Sequence, residues 1–273
     1  MVESSLTRAM LRLATAATLA FIYIPLVVIG LYAFNETRTQ KWPISGLTLD
    51  WFGKALDNTG VRHALLTSVE VALLATFTAL ALGTLAAFAV QRYDFFGREA
   101  ISLLVILPIA LPGIVTGMAL NATFREVLSP FGLNLGLLTI VIGHATFCIV
   151  VVYNNAIARL RRTSRSFEEA SMDLGADTLQ TFRYVTFPAL RTALVAGGLL
   201  AFALSFDEII VTTFTAGGQQ TLPIWIFTNL SRPNQLPIVN VVALVLILLS
   251  MIPVYFAQRM SRETSSVAGA GVP

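Results

Sequence analysis

Glu169-Ala-Ser-Met-Asp-Leu-Gly175, with Val185-Thr-Phe-Pro188 close behind, lies between two strongly apolar segments of the chain. Local rules give this polar island a shape. Ser166-Phe-Glu-Glu169 reads as a capping box, with Ser166 as N-cap and Glu169 at the third helical position. Phe167, Ala170, Ser171 and Leu174 then recur at i, i+3, i+4 and i+7, a narrow apolar stripe. Gly175 is the expected helix stop, because glycine enters the left-handed region cheaply. Asp177-Thr-Leu-Gln180 offers a second box, and a second helix carrying Leu179, Phe182 and Val185 is expected to end at Pro188. The prediction is helix, tight turn, helix. Two readings of this elbow stay open on local grounds: a hairpin lying on a membrane surface, or an insert for a groove on a soluble partner.

Outside the elbow the chain is suited to lipid. Its 273 residues are 56% hydrophobic and 12% charged, where soluble domains carry about 25% charged residues. Six windows of roughly 20 apolar residues are long enough to cross a bilayer. They fall near 13–34, 64–90, 100–121, 137–157, 192–216 and 238–258. The expected fold is therefore all-α, a polytopic membrane protein with six transmembrane helices. It is read as a single domain over 1–273, with the elbow loop at 158–191 and a small polar tail, 262–273, expected to be disordered. Along this path Arg38, Lys41, Lys54, Arg62, Arg125 and Arg232 fall on the side away from the elbow, and the rest of the 18 basic residues fall on the elbow's side. The positive-inside rule then places the elbow and both termini in the cytoplasm. The pI near 9.3 follows from topology, and no clustered basic face points to nucleic acid. Arg8 and Arg12 precede an apolar run longer than the ~7–15 residues of a signal-peptide core, which reads as an uncleaved anchor. Cys148 stands alone, so no internal disulfide is available, and no metal cluster or cofactor motif is apparent.

Polar and helix-breaking residues inside the apolar windows are the informative ones. Leu107-Pro-Ile-Ala-Leu-Pro-Gly113 places two prolines in the third span, and Gly113 with Gly117 offers a small-residue face for close helix contact. Kinked packing and pathway lining both fit. Glu70 in the second span and Asp207 and Glu208 in the fifth have no lysine or arginine at their depth. At roughly 1.5 Å per residue, Glu70 lies about 10 Å, and the other two about 15 Å, below the outer ends of their helices. A mid-membrane charge costs at least about 2.5 kcal/mol, so such groups face a bundle interior or water. Ser205, Glu208, Thr212 and Thr215 share one helical stripe, which favours Glu208 over Asp207 as a pathway group. His144 is expected to be hydrogen-bonded packing. Trp51 in the first outer loop and Trp225 after Thr221-Leu-Pro223 read as interfacial anchors, the second alternatively as part of a lid.

Taken together, Glu169-Ala170-Ser171, three residues, Gly175, nine residues and Val185-x-Phe187-Pro188 resemble the EAA loop of permease subunits of bacterial type I ABC importers. The family pattern is EAA, three residues, G, nine residues, I-x-L-P. The spacing matches, with Ser171, Val185 and Phe187 as modest departures. The resemblance implies the MetI-like permease fold and a coupling role for Glu169, Ala170, Ser171, Gly175 and Pro188 against a dimer of ABC ATPase subunits. Leu204-Ser-Phe-Asp-Glu208, Thr212-Thr-Phe, Gly217-Gly218 and Thr221-Leu-Pro223 resemble the polyamine (spermidine/putrescine) branch. That implies a translocation pathway for a cationic solute past Glu208, Asp207, Glu70, Ser205 and Thr212. It also implies a second, different permease chain and a periplasmic or lipid-anchored solute-binding protein. The chain itself carries no Walker A loop: its lysines, Lys41 and Lys54, follow no glycine-rich turn. The expected protein is thus a transport subunit and not an enzyme, with ATP hydrolysis left to a partner. The rival readings are an importer of an amino-acid derivative or opine, an ion-coupled secondary transporter using Glu70, Asp207 and Glu208, and an intramembrane enzyme. The last lacks a nucleophile or metal set.

Overall fold

Backbone in lipid finds no water to bond, so an apolar run satisfies itself through the intrahelical ladder. The computed structural model describes residues 5–269. In order along the chain stand α1 (Ser5–Ala33), α2 (Asp50–Asp57), α3 (Thr59–Arg92), α4 (Arg98–Ala110), α5 (Gly113–Thr123), α6 (Leu137–Arg162), α7 (Ser166–Asp173), α8 (Thr178–Thr181), α9 (Phe187–Phe206), α10 (Ile210–Thr215), α11 (Leu222–Asn229) and α12 (Leu236–Gly269). Among the described residues no strand forms; one isolated antiparallel bridge joins Asn35 and Leu47. Among the described residues five helical runs are long and apolar enough to cross a bilayer, and the bent pair Arg98–Ala110 and Gly113–Phe131 makes a sixth when counted as one span.

The third span is not the rod expected over 100–121. It bends by 107° between its two halves. Pro112 lacks an N–H and drives Leu111 into the extended region, at ψ 144°. The fifth span is interrupted too, with α9 closing at Phe206 and α10 opening at Ile210. α12 continues through Gly269, so helix occupies much of the tail expected to be disordered. Extending a formed helix costs far less than starting one, and the tail's Ser and Ala do not break it. Residues 270–273 of that tail lie outside the described residues.

Where a single domain was expected, the chain divides into two compact units: Met1–Arg62 with Trp225–Leu248, and His63–Ile224 with Leu249–Pro273. Apolar windows say that helices lie in lipid and carry no signal for which ones group together. In the first unit Trp51 is buried, and its indole N–H donates to the Asn35 carbonyl at 2.9 Å. Lys54 Nζ stands 4.1 Å from the ring centroid. Trp51 therefore seals a folded loop and is not an exposed anchor; an indole N–H inside protein takes a partner. Trp225 is buried as well, while Phe227 on the same helix is exposed.

The second unit is organised on α6, whose buried face includes His144, Phe147, Cys148, Val152, Tyr153, Ala156 and Leu160. α3 meets it through small residues. Ala75, Ala79 and Ala87 are wholly buried, and Gly83 stands in the same row at four-residue steps. Gly and Ala let helices approach closely, which matters where lipid gives no hydrophobic drive to associate. At Gly83 a Cβ would fall 2.9 Å from the Ile149 carbonyl oxygen and 3.1 Å from Val152 Cβ. Backbone atoms cannot rotate aside. Gly83→Leu is expected to destabilise the fold by about 1–3 kcal/mol, read as a lower thermal midpoint of the detergent-solubilised protein. Gly53→Ala, where the added atom meets nothing within 4 Å, should leave the midpoint close to wild type.

Candidate functional site

The elbow forms as helix, turn and helix, with three local differences from expectation. α7 begins at Ser166, and its N-cap position is Arg165, which makes no side-chain cap. Ser166 is inside the helix, its N–H donating to Ser164 Oγ at 3.2 Å. Glu169 does not fold back to cap the helix start because it pairs with Arg165, one turn earlier, at 3.3 Å. Gly175 sits at φ +90°. Its N–H donates to the Met172 carbonyl at 2.9 Å and the Ala176 N–H to the Ser171 carbonyl at 3.1 Å. This pair of bonds is the Schellman closure that needs a left-handed residue. The second box forms as read: Asp177 Oδ1 accepts from the Gln180 N–H at 2.8 Å, and Gln180 Oε1 accepts from the Asp177 N–H at 3.0 Å. Pro188 opens α9 instead of ending the second arm. A π-helical turn, Phe182–Thr186, lies just before it. A wider turn relieves the clash that a proline ring has with the carbonyl four residues back.

The elbow's side chains divide into two sets. Ser171 Oγ lies 3.2 Å from Thr181 Oγ1 and ties the two arms together. Phe167, Leu174 and Leu179 point outward, Leu174 being 91% exposed. Ala170, Gly175 and Pro188 are exposed also, as is Glu169. The neighbouring Glu168 is buried. Its carboxylate meets Arg92, the last residue of α3, with Arg92 Nε 3.0 Å from Oε2 and Nη2 donating to Oε1 at 3.1 Å. Thr186 donates to the same Oε1 at 3.1 Å. Sequence reasoning missed this pair. Its signal was the step of about 100° between adjacent helical residues, which forbids Glu168 and Glu169 from facing the same way. Beside it opens a cavity of about 900 Å³, walled by Leu85 and Phe88 of α3, by Tyr93 just past it, and by Met172, Leu179 and Phe182 of the elbow.

At the other end of α9 two helix breaks meet. Gly113, just after the third-span bend, lies against Ile210 at the start of α10. At Gly117 a Cβ would fall 2.6 Å from the Phe214 ring. Asn121 Nδ2 donates to the Phe214 carbonyl. The small-residue face is therefore used, and its partner is α10. Within the break Asp207 is exposed and Glu208 half-buried. Glu208 Oε1 accepts from the Val211 N–H at 2.9 Å and so caps α10. This reverses the expected order: Asp207 is the more open carboxylate. Glu70 is exposed on α3.

Ser205 and Thr212 do not join these open groups. Both are buried against His144, with Nδ1 2.7 Å from Ser205 Oγ and Nε2 2.8 Å from Thr212 Oγ1. Thr212 donates its own hydrogen to the Glu208 carbonyl at 2.9 Å. It must then accept from His144 Nε2–H, leaving Nδ1 to accept from Ser205. The stripe that grouped Ser205 and Thr212 with Glu208 assumed an unbroken helix. The break re-aims the carboxylate while His144 keeps the hydroxyls in the core.

Among curated proteins, the putrescine transport system permease protein PotI of Escherichia coli (strain K12) is 34% identical over 228 residues, covering 82% of this chain and 80% of PotI. The spermidine/putrescine transport system permease protein PotC of Haemophilus influenzae is 32% identical over 248 residues, 90% of this chain and 94% of PotC. Among solved structures, a bacterial alginate ABC transporter in complex with its alginate pentasaccharide-bound periplasmic protein contains a chain of matching fold, with TM-score 0.69, 16% identity and coverage of 95% and 94%. The fold is that of ABC importer permeases. The family described as "Binding-protein-dependent transport system inner membrane component" matches residues 79–265, more than half of the sequence, and the chain belongs to that family.

Proposed function

We propose that this chain forms half of a translocation pathway for a cationic solute of the polyamine class, such as putrescine or spermidine, driven by a separate ATPase dimer gripping the elbow around Gly175. The other half of the pathway is a second permease, a different chain, and a periplasmic or lipid-anchored solute-binding protein delivers solute from outside. Both termini and the elbow lie in the cytoplasm. The observation that carries the reading is the elbow itself. Its turn is preformed by the bonds around Gly175, and it presents Phe167, Leu174 and Leu179 to solvent. Apolar side chains exposed on a polar loop need a partner to cover them.

The solute class rests on two supports. The relatives named above carry putrescine or spermidine in their names. Asp207 and Glu70 are exposed, among the described residues neither forms an ion pair, and the break that bears Asp207 is irregular backbone of the kind tolerated where water enters. Discontinuous helices with exposed carboxylates suit a cation in transit.

Two outcomes follow. Gly175→Val puts a β-branched residue at φ +90°, which opens the turn. Uptake should fall while the chain keeps its abundance in the membrane and the ATPase continues to hydrolyse; wild-type uptake at normal abundance would count against the coupling role. Asp207→Asn removes one charge from the break. Maximal uptake of radiolabelled putrescine should fall about tenfold, the equivalent of roughly 1.4 kcal/mol, with the binding protein's affinity unchanged. Unaltered putrescine uptake by this variant, or a wild-type complex that takes up a neutral solute and not putrescine, would refute the cationic pathway.

A further inference from the structure

The Arg92–Glu168 pair is costly to build. Both side chains are about nine-tenths covered, at 10% and 11% exposure. Burying two charges gains little over an apolar pair of the same size. An apolar alternative is close at hand, since Val90, Leu160 and Leu190 belong to one buried cluster. Stability alone therefore gives no reason for charge here. Geometry gives one. Arg92 closes α3, Glu168 lies in α7, and Thr186 lies in the π-helical turn that leads into α9. Arg92 also reaches the Thr163 carbonyl, just past α6, at 3.5 Å. One carboxylate and one guanidinium thus join four segments at a point. Next to that point the 900 Å³ cavity lies between α3 and the elbow, where Phe88 meets Phe182 edge-on with ring centroids 5.5 Å apart, an apolar contact that sets no orientation as the ion pair does. A planar fork with several fixed donors holds orientation as well as distance.

Resting on the coupling role proposed above, we infer that Arg92 and Glu168 are positioning residues for transport: their buried pair is the joint through which the elbow carries α3 with it. α3 is a stiff rod. From Arg92 to Glu70 it measures about 33 Å at roughly 1.5 Å per residue, so a tilt imposed at the joint displaces the carboxylate near the far end. Glu169, one residue on, is left for the ATPase.

The test uses the whole complex of both permeases, ATPase and binding protein in nanodiscs. Spin labels replace Tyr93 on the α3 side and Tyr184 on the elbow's second arm; both are exposed, and Cys148 is buried. Through the nucleotide cycle the wild-type joint should hold the label distance constant. A change greater than about 5 Å, one helical turn, shows that α3 and the elbow move separately and overturns the inference. In proteoliposomes, Arg92→Glu and Glu168→Arg should each cut solute imported per ATP about tenfold, while the swapped double variant restores most of it. An apolar Arg92→Met, Glu168→Leu pair should keep the fold and still lose coupling. Full coupling in that pair would reduce the contact to packing and overturn the inference, even if the single variants fail to assemble. Should the wild-type chain hold no ATPase on purification, the coupling role falls and takes this inference with it, a result read separately from the label distances.

Discussion

The whole architecture answers to one constraint: a backbone N–H or C=O in hydrocarbon has no water to bond. Helices satisfy it by default. Every departure from helix at membrane depth therefore needs a local solution, and each departure here has one. Behind the Leu111–Pro112 bend, Gly113 and Gly117 allow α10 to close in, and Asn121 supplies a donor to the Phe214 carbonyl. At the Asp207–Ile209 break, the Glu208 carboxylate caps the first turn of α10 and Thr212 bonds the Glu208 carbonyl. The two interruptions lie against each other. Irregular backbone is thereby collected in one place, and an exposed Asp207 stands there.

Charge is distributed by the same logic. The carboxylate that is sealed from solvent, Glu168, has a guanidinium and a hydroxyl on its oxygens. The carboxylate that is open at the elbow, Glu169, has only an exposed neighbour in Arg165, a pairing worth at most about 1 kcal/mol. A weakly held surface carboxylate is free to exchange its partner. A buried one is not, because removing its counter-ion strands a charge, at a cost of about 3–5 kcal/mol. Two adjacent glutamates with the same side chain are given different work by the direction in which the helix points them.

Much of this was legible in the sequence. The apolar windows located the spans, the Gly175 turn and the Asp177 box formed as read, and the loop spacing led to the family that the comparisons then supported. What was not legible depends on which of several available partners a group takes, whether one turn away or far along the chain. Ser166 looked like a cap only until Arg165 was available to Glu169. Ser205 and Thr212 looked like pathway groups because helical periodicity was carried through a break that periodicity cannot detect. Arg92 and Glu168 are 76 positions apart, and nothing in either local stretch names the other. Trp51 was placed at an interface by its residue type, whereas the Asn35 carbonyl decides its burial.

The path from the elbow to the break is nearly continuous. Thr178–Phe206 passes as one helical run of 29 residues, about 43 Å at roughly 1.5 Å per residue. Its first arm is fixed to α7 through Ser171 and Thr181. Its far end is held on α6 by His144, which bonds Ser205 just before the break and Thr212 just after it. A helix seized at both ends of an interruption by one imidazole cannot slide apart there. On the proposed coupling, a force arriving along α9 would turn α10 about that point. Asp207 and Glu208 lie between the two clamped hydroxyl residues, so they are the groups such a turn would reorient most.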